Sequence, residues 1–359
     1  MQTGISIYPG LGGSAATHTA LLEKAAAAGV TRIFTSLHIP ETNIDELQEE
    51  LHGLLEAAQY HHMDVAADVS PATQKVLKLD TLTPNALLEL GITTVRFDFG
   101  FDISKIALFS KAMHIQLNAS TVQPSYIQEL RQAGADFAHI EALHNFYPRP
   151  HTGLGEDYVR QQSAWLQDEG IAVGAFIPSQ SGRRGPLFEG LPTLELHRPM
   201  DVSLTSRHIA AMGLQSVFIG DSAPSQKELN MLTRTGREEK KVVVIKARLL
   251  SHEPYVRDLL SSTFTARLDP ARDAIRTQES RHFLGDRTIE ADGPFRSLRR
   301  GDITIDNADY HRYMGEVQLL LTNQLAEERT NIVAEIMPNE LFLLPYITPG
   351  RKFRLELIR

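Results

Sequence analysis

The sequence predicts an α/β fold: a (β/α)8 barrel of parallel strands, followed by a smaller β-rich domain. Three observations carry this. Short, β-rich apolar runs alternate with amphipathic helical stretches up to about residue 240, and there are eight such runs. Most of the helical stretches close on glycine, as in "TALLEKAAAAG", "PSYIQELRQAG" and "VSLTSRHIAAMG", the usual stop for a helix C-terminus. From about Val242 the helical period fades, and strand-like pieces separated by Gly, Asn and Pro take over.

The eight runs, in order, are "GISIYPG" (4–10), "RIFTSLHIP" (32–40), "MDVAADVS" (63–70), "TTVRFDFG" (93–100), "IQLNAS" (115–120), "FAHIEALHNF" (137–146), "AVGAFIPS" (172–179) and "SVFIGD" (216–221). Strands this close together, each followed by a helix, pair in parallel through crossovers, and eight units close on themselves. An open doubly wound sheet is the competing architecture. Beyond "SQKELNMLTRTGREEKK" the pieces "VVVIKARLL", "GDITIDN", "EVQLLLT", "NIVAEI" and "RKFRLELI" mark the second domain. The division is a barrel over 1–240, carrying the chemistry, and a β-rich domain over 241–359.

The composition narrows the class. Of 359 residues, 42% are hydrophobic, enough for one barrel-sized core and a smaller one, and the net charge of −8 gives no footprint for nucleic acid. With no cysteine, disulfides and thiolate metal sites are excluded. No segment approaches the roughly 18 apolar residues of a membrane span, and "MQTGISIYPGLGG" lacks the features of a secretion signal, so a cytoplasmic protein is expected. The fourteen histidines are scattered without ligand spacing, and "YPGLGG" completes neither dinucleotide nor P-loop motif. The expectation is no metal and no organic cofactor, no nucleic-acid or membrane partner, and a small-molecule substrate; a homo-oligomer is compatible with all of this.

A barrel builds its active site from the C-terminal ends of its strands and the loops that follow. Acids recur there: Asp68, Asp98, Glu141 and Asp221, with His38 after strand two and Asn118 ending strand five. Asp98 stands between two phenylalanines in an apolar strand, where a carboxylate costs free energy unless it is paired or used, and Arg96 is its candidate neighbour. After strand six, "HNFYPRPHTGLG" gathers His144, Asn145, Tyr147 and Arg149. The segment after strand seven, "SQSGRRGPLFEGLPTLELHRPM" (179–200), is long for a βα loop and supplies Arg183, Arg184, Glu195, His197 and Arg198. Guanidinium forks match phosphate or carboxylate, and barrels commonly bind phosphate near strands seven and eight, so an anionic substrate group is expected there. Converging carboxylates suit glycoside hydrolysis, in which one protonates the leaving oxygen and the other serves as nucleophile or base. Asp98, Glu141 and Asp68 are the catalytic candidates. Asn118, His144, Asn145, Tyr147, Arg149, Arg184, Glu195, His197, Arg198 and Asp221 are the substrate-binding ones. A non-catalytic phosphosugar sensor is the rival from another class, whereas an aldolase would want a strand-end lysine that the barrel strands do not offer.

Several stretches together resemble a bacterial family that includes 6-phospho-N-acetylmuramidases: "GISIYPG", "RFDFGF" (96–101), "LNAST" (117–121), "HNFYPRPHTGL" (144–154), "GPLFEGLPTLELHR" (185–198), "VFIGD" (217–221) and "RRGDITIDNADYHRYMGEVQ" (299–318). The resemblance spans nearly the whole chain. It implies a TIM barrel with a C-terminal cyclophilin-like β domain. It also implies cytoplasmic hydrolysis of an N-acetylmuramic acid 6-phosphate-containing disaccharide in cell-wall recycling, peptidoglycan being the source. In the last motif Asp302, Asp306, Asn307, Tyr310 and Arg312 read as turn and pairing residues of the β domain; the alternative is a domain that covers a barrel mouth.

Overall fold

The computed structural model describes residues 1–11, 13–37, 44–97, 100–238, 242–292 and 296–358. His38 and Asp98 lie outside the described residues. The chain divides into two compact units, one of Met1–Ile209 with Leu214–Glu238 and one taking in the rest.

The first unit is a closed barrel of eight parallel strands in sequence order: β1 (Gln2–Ser6), β2 (Arg32–Ser36), β3 (Asp64–Val69), β4 (Thr94–Phe97), β5 (His114–Asn118), β6 (Ile140–Leu143), β7 (Ala172–Ile177) and β8 (Ser216–Ile219). β8 closes against β1 with Gln2 opposite Ser216. The strands are shorter than the apolar runs because the last residues of each run leave the ladder to build loops. In the sixth run, Phe137–His139 form a 3-10 turn capped by the Asp136 side chain before pairing begins.

Side chains alternate between the barrel interior and the helix layer, as the pleat requires. Phe34, Ala66, Leu143, Phe176 and Phe218 meet inside, joined by Tyr8 and Leu191 from the loops, with Phe146 and Leu11 packed on the cluster. Phe34 and Phe146 each meet Phe176 edge to face at 5.0 Å between centroids, a preferred aromatic geometry. A Cβ on Gly4 would lie 2.2 Å from the Phe218 ring, so the close approach of β1 to this cluster needs glycine.

The second unit holds a seven-stranded mixed sheet. Its strands are β9 (Val243–Leu249), β10 (Thr263–Thr265), β11 (Ala274–Arg276), β12 (Asp302–Asp306), β13 (Val317–Leu320), β14 (Thr330–Ile336) and β15 (Lys352–Ile358), in the order β10-β15-β9-β14-β12-β13-β11. Only β9 and β15 run parallel among the described pairs. The "GDITIDN" motif does internal work here. Asp302 takes both nitrogens of Arg296 at 2.7 and 2.9 Å, and Asn307 donates to Glu328 O and Asn331 Oδ1.

Candidate active site

At the C-terminal end of the barrel, Asp68 of β3 stands in register with Ser36 and Arg96 of the flanking strands. The buried Arg96 reaches Asp68 Oδ1 with Nε at 3.9 Å, donates Nη1 to the Leu143 carbonyl at 2.9 Å, and donates Nη2 to Asn145 Oδ1. One guanidinium therefore ties the ends of β3, β4 and β6 together and sets a positive charge beside the Asp68 carboxylate. Asn145 is itself held by its N–H on Ser120 Oγ and its carbonyl on Thr193 Oγ1. Asn118 accepts the Ser120 N–H at 3.1 Å in a tight turn at the end of β5.

Arg184 is the second cation of this end. Its backbone N–H donates to Asp221 Oδ1 at 2.9 Å, and Asp221 also accepts from Ser179 N and Leu191 N, so a buried acid after β8 shapes the loop after β7. Burial pushes the Asp221 carboxyl up, while these three N–H groups pull the other way. The Arg184 guanidinium lies over the Tyr8 and Phe146 rings, 4.4 and 5.0 Å from their centroids. Its Nε and Nη1 are buried without a hydrogen-bond partner among the described residues. Buried donors of this kind are uncommon unless a ligand or ordered water completes them. Tyr8, pushed up to about 12 chiefly by burial, donates its hydroxyl to the Gly220 carbonyl at 2.8 Å and stays neutral beneath the cation.

Several expected ligand contacts prove to be internal. Glu141 is not at this end. It makes a bidentate pair with Arg32, 2.6 and 2.8 Å, and accepts from Gln116 at 2.7 Å. Arg32 opens β2 and also holds Gln2, the first residue of β1, so the cluster plugs the N-terminal end of the barrel, where barrels concentrate stability. His144 points away from the interior, between the hydroxyls of Ser120 and Ser163, and burial lowers its pKa to about 3. His197 is buried against His208 at 2.8 Å and is held well below the ordinary histidine range by burial.

Glu195 and Arg198 clasp the loops after β6 and β7. Arg198 donates to the carbonyls of Tyr147, Arg149, Glu189 and Gly190 and doubly to Glu195 at 2.7 Å. Glu195 also accepts from the N–H groups of His151 and Gly153; its carboxyl, bonded foremost by Arg198, falls to about 2. The half-buried Tyr147 donates its N–H to Pro192 O, and Arg149 is exposed. Glu195 and Arg198 thus spend their charges on holding these loops together.

Two features were not read from the sequence. Tyr8 was seen only as part of a motif, although its ring is the platform for Arg184. Glu228, third residue of the helix Gln226–Arg237, accepts from Ser179 Oγ, Gln180 N, Ser181 Oγ and both N and Oγ of Ser225. The "SQKE" capping box was the available signal. In barrels, donors at the start of this helix often hold a phosphate; here they hold the protein's own carboxylate, while Arg184 keeps unspent N–H groups. Among the described residues no three His, Asp or Glu side chains group as a metal site, and no helix is long and apolar enough to cross a membrane.

Comparisons with known proteins give the family and the fold. Residues 3–234 match the family described as 6-phospho-N-acetylmuramidase, N-terminal, and residues 243–356 its C-terminal counterpart. The chain is similar to an uncharacterized Bacillus cereus protein of known structure, at 29% identity over 99% of both chains with a TM-score of 0.86. It is also similar to a conserved Enterococcus faecalis protein of unknown function, at 33% identity over 99% of this chain and 96% of that one, with a TM-score of 0.72. No curated protein matches. A barrel whose C-terminal end offers an ion-paired carboxylate and an unsatisfied guanidinium, matched over both of its units, makes this chain a member of the 6-phospho-N-acetylmuramidase family, a family of glycosidases.

Proposed function

We propose that the protein hydrolyses the glycosidic bond of an N-acetylmuramic acid 6-phosphate disaccharide in the cytoplasm, as a step of cell-wall recycling. The observation that carries this reading is Arg184, a half-buried cation on two aromatic rings whose Nε and Nη1 are buried and have no hydrogen-bond partner among the described residues. Such a disaccharide carries a phosphate and a lactyl carboxylate, and a planar fork suits either.

The chemistry is assigned to two carboxylates. Asp68, ion-paired to Arg96, is the anionic member that attacks the anomeric carbon or activates water. Asp98, two residues beyond Arg96 in the sequence, is the proton donor to the leaving oxygen. The pair matches the general requirement of glycoside hydrolysis for one acid and one base or nucleophile. Asn145 and Asn118 stand at neighbouring strand ends as hydrogen-bonding groups for the sugar.

An aryl glycoside of N-acetylmuramic acid 6-phosphate with a good leaving group separates the two roles. Asp98→Asn should lose roughly 10²–10⁴-fold on the natural disaccharide, the worth of general acid catalysis, and keep most of its rate on the aryl glycoside, whose leaving oxygen needs no proton. Asp68→Asn should lose both. Equal losses on both substrates for Asp98→Asn would remove it from the acid role.

A further inference from the structure

We infer that the second unit carries a binding site of its own, for a small ligand with an anionic headgroup on an apolar body. A cleft of about 420 Å³ opens there, within the range of small-molecule sites. Three arginines line it, Arg267, Arg276 and Arg300, against one acid, Asp269. The walls are otherwise mostly apolar, with Ile275 and Ile347 among them.

The charges are not all spent internally. Asp269 is shared by Arg267, at 3.0 and 3.3 Å, and by Arg276, at 2.8 Å. Arg267 also meets the buried Glu316, Nη1 to Oε2 at 3.9 Å, so two acids answer Arg267 and Arg276, and the unmatched charge at the cleft is that of Arg300. Arg276 uses Nη2 on Asp269, both its carboxylate and its carbonyl, while its Nε is buried with no hydrogen-bond partner among the described residues. Arg300 is anchored by its backbone, whose N–H donates to Asn323 Oδ1 at 2.9 Å; among the described residues its guanidinium has neither an ion-pair nor a hydrogen-bond partner. An apolar pocket with surplus guanidinium at its rim selects a carboxylate or a phosphate attached to an apolar group. A neutral ligand of the same shape would leave the Arg300 guanidinium unanswered. Arg267 and Asp269, already paired, hold Arg276 in place.

The test uses the whole protein with its isoleucine methyl groups labelled for NMR, because Ile275 and Ile347 line the cleft. Benzoate, phenyl phosphate and the uncharged benzamide serve as probes. The expected result is saturable shifts at Ile275 and Ile347 with benzoate or phenyl phosphate, the tighter of the two identifying the headgroup, and weak shifts at most with benzamide. Arg300→Gln, a change at an exposed side chain, should weaken the anionic probe about tenfold, as loss of a charge-assisted contact does. Arg184→Gln should leave those shifts unchanged. The proposal is overturned if neither anion shifts the two isoleucines, if benzamide shifts them equally, or if Arg300→Gln leaves anion binding unaltered.

Discussion

Replacing Arg184 by glutamine separates function from stability more sharply than any other change in the barrel. Its Nε and Nη1 make no hydrogen bond within the described protein; what the fold loses is mainly its contact with Tyr8 and its place over the Phe146 ring, worth about 1–2 kcal/mol. Substrate binding loses more. Two charge-assisted hydrogen bonds from those nitrogens to a phosphate or carboxylate are worth about 1.5–3 kcal/mol each, together about 3–6 kcal/mol. That corresponds to roughly 10²–10⁴ in kcat/KM. The assay is kcat/KM for release of N-acetylmuramic acid 6-phosphate alongside thermal unfolding of the same preparations. Arg184→Lys, which keeps the charge but not the planar fork, should fall between glutamine and wild type. A loss below about threefold in kcat/KM, or a fall in Tm as large as that from a buried clasp residue, would refute the assignment of Arg184 to substrate.

Other outcomes follow from the same structure. Arg198→Ala should show the opposite balance, destabilising by roughly 3–5 kcal/mol, because four carbonyls and the Glu195 carboxylate lose their shared donor; urea unfolding checks it. His144, lowered to about 3 in the fold, binds its proton more readily when unfolded. Its contribution is therefore complete above about pH 6.5 and is lost as pH falls from there toward 3, so His144→Gln should flatten the acid side of the stability curve by up to about one proton. Asp306, raised to about 7 by burial, has the reverse sign: the folded form holds the proton, and stability declines as pH rises from about 4 to 7. Asp306→Asn should accordingly stabilise the protein at pH 8 and do little at pH 4, as unfolding at the two pH values would show.

The barrel was legible because its signal is local and repeated: a short apolar run, a helix, a glycine stop. The two edge strands β10 and β11 were not, since three residues each carry too little alternation to register. Within the site, residue type was legible but depth along the barrel was not. Glu141 sits in an apolar run whose outer parts are not strand, so its distance from the strand's end was misjudged, and its partner Arg32 is 109 residues away. Alternation alone would have separated Asn145, on the inward face with Leu143, from His144, on the outward one. The pairing of Glu195 with Arg198 was legible in principle as an i, i+3 contact. Arg184 was chosen over Arg183 from its place beside Gly and Pro, but the reason Arg183 is taken up, its bonds to Ser179, Gln180 and Arg198, was not legible, because those contacts exist only once the loop is folded.

The central claim is that the carboxylate beside Arg96 at the C-terminal end of the barrel cleaves a 6-phosphomuramyl glycoside. Single-turnover release of N-acetylmuramic acid 6-phosphate from the phosphorylated disaccharide, by wild type and by Asp68→Asn, tests it most directly. The account predicts release by the wild type and a loss of at least about 10²-fold in a variant that remains folded. Release at an undiminished rate by Asp68→Asn, or none by the wild type, would contradict it.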